Sequence, residues 1–545
     1  MNIIGIGGSD HDISACLVVD GELKIAIEEE RLSKEKHGIG ARSCLLQSVD
    51  YCLQEAGLTE ENIDYFFAND LFLPKLFSGK KFIDKLIRIN HHLTHFASAY
   101  YLSGFTSAAW LVIDGGGARV SIDTCETISF GAIHNGKITT LQKTVGEISL
   151  FNNVLGYQQN SMGSFYDFFN LICGFKILET GKLMGLASYG NTVYIDEIEK
   201  YISIGYDTNK NFKININLNK DIYNELSKQI CDCFSEDEKF QVKADIAASA
   251  QYLLEKYIFS IMNELYSSTH LKQLCYAGGV AYNSVLNGKI KLQTPFEDVF
   301  IPPSAGDSGT AIGAALYGYH HILGYPQKEN KQIISLFTGK LYSINEIEKI
   351  CKKHSDSVRY CDLGELVYQE AAKELLNGKV IGWFQGGSEF GPRALGNRSI
   401  LADPRIKDMP YHLNTKVKFR EIFRPYAPVI IDEYLNDYFE TDFPINPFML
   451  YVGYIKKDKR EIIPAVTHVD NTARLQIINE KINYQLYTLI KKFYQLSGVP
   501  VLLNTSFNIK GKPIVENPAD AMECFLKCDM DVLYLGSYKI TKIKK

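Results

Sequence analysis

Nowhere in the 545 residues do apolar side chains run on for the roughly 18 positions that a membrane-spanning helix needs. That excludes a helical span, and no membrane partner is expected. Paired C-x-x-C motifs are also missing. The closest of the 12 cysteines are Cys231 with Cys233 and Cys524 with Cys528, spacings that do not build a zinc knuckle. Reduced packing thiols of a cytosolic protein are expected instead. Positive charge is in slight deficit, with 58 Lys and Arg against 63 Asp and Glu and a formal net charge of -5. No global field is available to hold tRNA or DNA, so no nucleic-acid partner is expected and any anion site must be local. The opening MNIIGIGGSDHD carries no basic leader, so we expect no signal peptide and a cytoplasmic location.

What is present is apolar material, 46% of the chain, enough for more than one core. Two large domains are expected, 1–340 and 341–545, with a polar, Lys-rich stretch marking the boundary. Residues 2–6, 15–19 and 23–27 are short apolar runs, the first two separated by GGSDHD and the last two by Asp20-Gly21. This reads as strand, glycine turn, strand, tight hairpin, strand. The order returns in AAWLVIDGGG (108–117), TISFGAIH, Asn135-Gly136 and KITTL. A duplicated three-stranded start with an acid beside each glycine turn points to an actin-like ATPase architecture. Residues 151–190 show no sustained period and are expected to be a functional loop. Residues 243–266 hold apolar side chains at helical spacing without Pro or Gly and predict one long helix. QLCYAGGVAYNSVLNG predicts a strand entering a glycine turn, where backbone N–H groups can approach phosphate or ribose. Beyond residue 341, a helix around 366–376 followed by KVIGWF, PYAPVII, PFMLYVGYI and VPVLLN implies a mixed α/β domain.

The metal-like signal lies in INHHLTHF: His91 and His95 are four apart and share a helix face. Asp114, ending a strand before three glycines, and Asp307, in PPSAGDSGTAIG, are carboxylates at sharp turns able to complete a set. Two imidazoles and two carboxylates suit Fe(II), Mn(II) or Zn(II). The competing readings are a packed helix face, or His92 in place of His91. His11 and Lys36 flank the first glycine turn and the third strand, and His11 is a candidate to take a proton from a hydroxyl. For Lys36, among Glu28, Glu29, Glu30 and Lys34, the alternative is a solvated charged face. Arg393, Arg398, Arg405, Lys416, Lys418, Arg420 and Arg424 crowd one short segment, and several are expected to converge on an anion. His468, Asp470 and Arg474, with Asn504, Ser506 and Asn508, offer polar groups for a phosphate or a nucleobase.

Together HHLTHFASAYY, GKLMGLASYG, AGGVAYNSVLNG, PPSAGDSGTAIGAA, GWFQGGSEFGPRALGNRSILADPR, VKFREIFRPYAP, IPAVTHVDNTARLQ and VLLNTSFN resemble, across nearly the whole chain, the O-carbamoyltransferase family of nodulation-factor and antibiotic biosynthesis. The resemblance implies a duplicated actin-like (ASKHA) domain followed by a YrdC-like α/β domain. It implies that Arg393, Lys418, Arg424, Arg474, Ser506 and Asn508 bind ATP and carbamoyl phosphate, with Mg(II) accompanying ATP, and form carbamoyl adenylate. It further implies an iron held by His91, His95, Asp114 and Asp307, a nucleotide turn of Gly278, Gly279 and Asn283, and His11 and Lys36 at the end that receives a small-molecule hydroxyl acceptor.

Three departures stand out: Gly387 occupies an expected arginine position, Lys512 an expected acid, and GGGARV replaces a Glu-Trp pair. The other functions weighed are a tRNA threonylcarbamoyl-type enzyme, which the net charge does not favour, and a nucleotide-switched actin-like chaperone. Assembly as a homodimer is left open.

Overall fold

The computed structural model describes residues 1–38, 46–72, 80–151, 154–206, 212–327, 337–443 and 445–543. Its first half is organised by two hairpins of the same kind. Asp20-Gly21 has φ of 50° and 81°, and Asn135-Gly136 has 46° and 80°. Both are the left-handed pairs whose twist matches that of the strands they join. The first joins β2 (Ser14–Val19) to β3 (Glu22–Glu28), and β2 pairs with β1 (Asn2–Gly7) on its other side. β4 (Tyr65–Asn69) and β5 (Leu86–Ile89) extend the sheet in parallel, in the order β3-β2-β1-β4-β5.

The second sheet repeats that plan. Its hairpin joins β7 (Thr124–His134) to β8 (Lys137–Phe151) beside β6 (Ser107–Ile113), with β9 (Val154–Gln158) added outside. After a separate ribbon of β10 (Ile202–Tyr206) and β11 (Phe212–Ile216), β12 (Gln273–Ala277) and β13 (Asp298–Phe300) join in parallel. Counted from its hairpin, β8-β7-β6-β12-β13 has the strand directions of β3-β2-β1-β4-β5. The duplication is therefore one of topology, and the first half is an actin-like ATPase fold.

Helices His91–Ser103 and Thr310–Tyr317 cross between the two sheets. A Cβ on Gly313 would stand 1.8 Å from the Thr94 carbonyl oxygen. The helices thus meet backbone to backbone, which brings the turn holding Asp307 onto the histidines. The predicted long helix runs Glu236–Thr269, earlier than expected from its apolar period. A Ser235/Glu238 capping box and an acidic first turn extend it where no apolar residue is needed.

The expected loop over 151–190 is corrected. It contains helices Met162–Ile172 and Thr180–Ala187, while residues 152–153 lie outside the described residues. Met162, Phe165, Phe168, Phe169 and Ile172 bury one face of the first, and Ser161 caps it. Tertiary burial overrides the small and polar residues that mask this period.

The remaining strands are β14 (Val358–Asp362), β15 (Ile381–Phe384), β16 (Arg398–Ala402), β17 (Ala427–Ile431), β18 (Phe439–Glu440), β19 (Tyr451–Ile455), β20 (Thr472–Ile478), β21 (Val501–Ser506), β22 (Val532–Leu535) and β23 (Tyr538–Lys542). They form one mixed sheet, ordered β14-β23-β22-β15-β16-β21-β17-β20-β19-β18. Phe390, between β15 and β16, is buried in the same apolar cluster as residues of β1–β3 and of the helices His91–Ser103 and Thr310–Tyr317 of the first half. Among the described residues no helix is long and apolar enough to cross a membrane.

Candidate active site

His91 opens its helix because Asn90 caps it, accepting the Leu93 N–H at 3.1 Å. One turn later His95 falls on the same face, and their Nε2 atoms lie 3.0 Å apart. Asp114, at the end of β6, comes within 3.1 Å of His91 and 3.5 Å of His95, while Asp307 is 3.6 Å from each. A tetrahedral ion with bonds of about 2.0–2.2 Å spaces its donors about 3.3–3.6 Å apart. Three of these separations fall in that range and the two at His91, 3.0 and 3.1 Å, are shorter, so the four residues could hold a small divalent cation with a slight outward shift of His91. Each carboxylate has its other oxygen tied down: Gly279 N–H donates to Asp114 Oδ1 at 3.2 Å, and Ser9 Oγ donates to Asp307 Oδ2 at 2.7 Å. His92 is not part of the set. It turns to Ser129 Oγ, 2.7 Å from its Nδ1.

The protonation of this cluster follows from its charges. Burial resists a proton on His91, yet Asp307 and Asp114 hold its pKa up to about 10. His95 is raised too, against both burial and His91. Burial and mutual repulsion oppose charge on the carboxylates, but the histidines drive Asp114 and Asp307 below the ordinary range. Protons on the imidazoles thus stand where a dication would, and ion binding is expected to expel them.

His11 lies next to Asp12, whose carboxylate bridges His11 Nδ1 at 3.1 Å and His37 Nδ1 at 2.9 Å. Burial disfavours a charged His11, but Asp12 and Asp307 outweigh it and lift its pKa to about 10. Lys36 is solvent-exposed; partial desolvation by its neighbours lowers its pKa, Glu30 opposes, and Arg424 of the second half adds to the fall. Asp12 and His37 are partners that the sequence reading passed over, although each adjoins a residue it selected. The alternative of a solvated charged face fails for Glu28 and Glu29, which are buried, while Glu30 is half-buried and Lys34 and Lys36 are exposed as that alternative has them.

In the glycine turn, Gly278 has φ of 96°, and a Cβ on it would lie 2.2 Å from Ile113 O, so only glycine closes it against β6. Asn283 has a different occupation. It accepts the Leu286 N–H at 3.0 Å and exchanges amide bonds with Gln251 at 2.9 and 3.1 Å.

The cation-rich segment divides. Arg398 is wholly buried, donates to the carbonyls of Gln385 (2.8 Å) and Asn397 (3.0 Å), and lies 3.5 Å from the Phe384 ring centroid. Arg405 is spent on Asp403 at 2.6 Å, and Lys416 is exposed. Arg393, Arg420 and Arg424 instead gather around Arg474, which arrives from β20. Burial and then these three neighbours depress the Arg474 pKa, and burial with Arg420 takes Arg424 down to about 10. The Nε atoms of Arg393 and Arg474 are buried without a hydrogen-bond partner among the described residues. Like charges with unused donors are what an anion would satisfy. Lys418, also buried, donates to Ser506 O at 2.7 Å, to Ser506 Oγ at 3.1 Å and to Asn508 Oδ1. Asn504 is buried in β21 and bonded to Gln476 Oε1 at 2.7 Å. The departure at Gly387 has a steric reason: a Cβ would lie 2.4 Å from Gly339 O and 2.9 Å from Phe337 O.

Comparison with known proteins places these residues in context. A family model described as carbamoyltransferase N-terminus matches residues 2–75 and 69–316, and one described as carbamoyltransferase C-terminus matches 372–542. Nodulation protein NolNO of Sinorhizobium fredii is 35% identical over 98% of this chain and 79% of its own length. Nodulation protein NolO of Bradyrhizobium diazoefficiens is 34% identical over 83% of this chain and 79% of its own. An uncharacterized protein of Synechocystis sp. is 33% identical over 99% of this chain and 97% of its own.

Proposed function

The chain belongs to the carbamoyltransferase family, an enzyme family, and on that premise we propose that it is an ATP-dependent O-carbamoyltransferase acting on a hydroxyl of a small molecule. The observation that carries this reading is the group of Arg393, Arg420, Arg424 and Arg474, in which the buried Nε atoms of Arg393 and Arg474 have no partner among the described residues and Arg424 is near enough to Lys36 of the first half to act on its charge. Carbamoyl phosphate and ATP bring the anions such a group would neutralise. Water cleaves carbamoyl phosphate to carbamate and inorganic phosphate; a carbamate oxygen then attacks the α-phosphorus of ATP, forming carbamoyl adenylate as the bond to pyrophosphate breaks. Lys418 bridges Ser506 and Asn508 and so holds the rim of β21 in place around the second half, read as YrdC-like. Carbamate and carbamoyl adenylate are labile in water, so passage from a donor site in the second half to the first half calls for a shielded route.

At the first half, the Gly278–Gly279 turn would approach the adenylate. The acceptor oxygen attacks the carbamoyl carbon, its proton passes to His11 Nε2, and the bond to AMP breaks. His11 Nδ1 is held by Asp12, which leaves Nε2 for this task. The ring must start neutral, so the proton that Asp12 and then Asp307 favour on it has to leave before the acceptor's proton is taken. His91, His95, Asp114 and Asp307 would hold Fe(II), Mn(II) or Zn(II), which supplies Lewis-acid stabilisation of phosphate oxygens when bound.

The direct test omits the acceptor. Protein with ATP, carbamoyl phosphate and Fe(II) is expected to yield carbamoyl adenylate, phosphate and pyrophosphate by mass spectrometry, with Arg393→Ala and Lys418→Ala lowering the yield about 100-fold. ATP hydrolysis that ignores carbamoyl phosphate would overturn the assignment.

A further inference from the structure

Glu28 and Arg31 take no part in the chemistry above, yet they make a polar contact between the halves that is almost sealed from water. Glu28 ends β3, and Arg31 lies in the short helix Glu29–Ser33 that follows. Their relative exposures are 5% and 2%. Arg31 Nε is 2.9 Å from Glu28 Oε2. Arg31 Nη2 donates to the Gly391 carbonyl oxygen at 2.7 Å, and the Gly391 N–H donates to Glu28 Oε1. Both backbone polar groups of one second-half residue are thus taken by a buried ion pair of the first.

Gly391 is built to be held there. Its φ is 118°, and a Cβ would lie 3.0 Å from Pro303 O. Around it, Phe390 is packed in the first-half core, and Glu389 accepts the N–H groups of Leu395, Asn397 and Arg398 at 2.8, 2.7 and 3.1 Å. The loop is therefore tied together from Glu389 to Arg398. Two residues beyond Gly391 comes Arg393, whose pKa burial lowers and nearby Tyr282 raises. Tyr282 in turn packs on Gly306, where a Cβ would be 2.8 Å from its ring, and Asp307 is the next residue. A buried ion pair costs desolvation and adds little net stability compared with apolar residues of the same size. What an apolar pair lacks is the means to hold both an N–H and a C=O in a fixed orientation.

We infer that Glu28 and Arg31 are positioning residues that grip the Gly391 peptide and so set Arg393 in the donor site at a fixed register to the His91/His95/Asp114/Asp307 cluster. The inference rests on the reading of Arg393 as a donor-site residue given above.

The test uses the full-length chain and carbamoyl-phosphate-dependent pyrophosphate release from ATP. Arg31→Lys keeps the charge opposite Glu28 but loses the fork that reaches Gly391. It is expected to raise KM for carbamoyl phosphate about tenfold with kcat changed less than about threefold, and to have less than about a twofold effect when Arg393 is already Lys. Amide hydrogen exchange over residues 389–395 is expected to quicken in the same variant. If Arg31→Lys does not fold, Glu28→Gln, which retains one oxygen for the Gly391 N–H, takes its place in the cycle. An undiminished KM effect on the Arg393→Lys background, or unchanged exchange, overturns the positioning role while leaving the function intact. A wild-type chain that releases no pyrophosphate with carbamoyl phosphate sinks the donor-site reading, and this role with it.

Discussion

At the residue scale the four-ligand cluster makes the sharpest demand. Each carboxylate offers the histidines one oxygen and gives the other to a neighbour, Gly279 N–H for Asp114 and Ser9 Oγ for Asp307. Such outer contacts orient a ligand before any ion arrives. Asp114→Asn and His95→Ala are each expected to lower metal affinity at least tenfold, read as metal per chain after dialysis against a chelating resin. His92→Gln is expected to retain metal within about twofold, because His92 faces Ser129 and lies outside the cluster. Equal losses in all three variants would show that the helix, rather than these donors, governs binding. The neighbouring His92 illustrates a limit of spacing: HHLTH allows two i, i+4-like choices by eye, and only the roll of the helix against β6 and Thr310–Tyr317 selects His91.

At the scale of elements, the turn after β12 depends on one amide. Asn283 caps Ser284–Asn287 and shares its remaining groups with Gln251 of the long helix, which in turn accepts from Tyr166 at 2.6 Å. Asn283→Ala removes a cap and leaves the buried Gln251 short of a partner, so a loss of about 2 kcal/mol is expected from urea unfolding. A change below about 0.5 kcal/mol would show that the turn is held by the Gly278 packing alone. The hairpins, the long helix and the apolar strands were all legible from sequence, because strand alternation, Asp-Gly and Asn-Gly turns and helical spacing are short-range properties. The helix Met162–Ile172 was not, since its apolar face emerges only when it packs under β6 and the long helix.

A stability curve belongs to the whole molecule, and two groups tilt it in opposite directions. Burial raises the Glu28 pKa to about 7 from 4.5 despite Arg31, so its contribution is present below pH 4.5 and is lost as pH rises to about 7. Burial lowers the His468 pKa to about 4 from 6.5, with Asp470 opposing, so its contribution is present above pH 6.5 and is lost as pH falls to about 4. His468→Gln removes the second slope. The variant is expected to lose less stability than the parent between pH 6.5 and 4, measured by urea midpoints across that range. Identical slopes would mean that His468 is hydrated enough to titrate normally.

The sequence by itself determined the local units of this protein: the paired hairpins, the histidine spacing, the glycine turns and the abundance of arginine between residues 393 and 424. Each follows from contacts between residues close along the chain. The tertiary structure alone decided which charges act together. It withdrew Arg398 and Arg405 from the anion group, set Arg474 of β20 against Arg393, Arg420 and Arg424, and buried Glu28 and Arg31 in a run of charges that reads as a surface. The reason is that desolvation and charge pairing depend on distance and enclosure, and both are set by how the second half packs against the first.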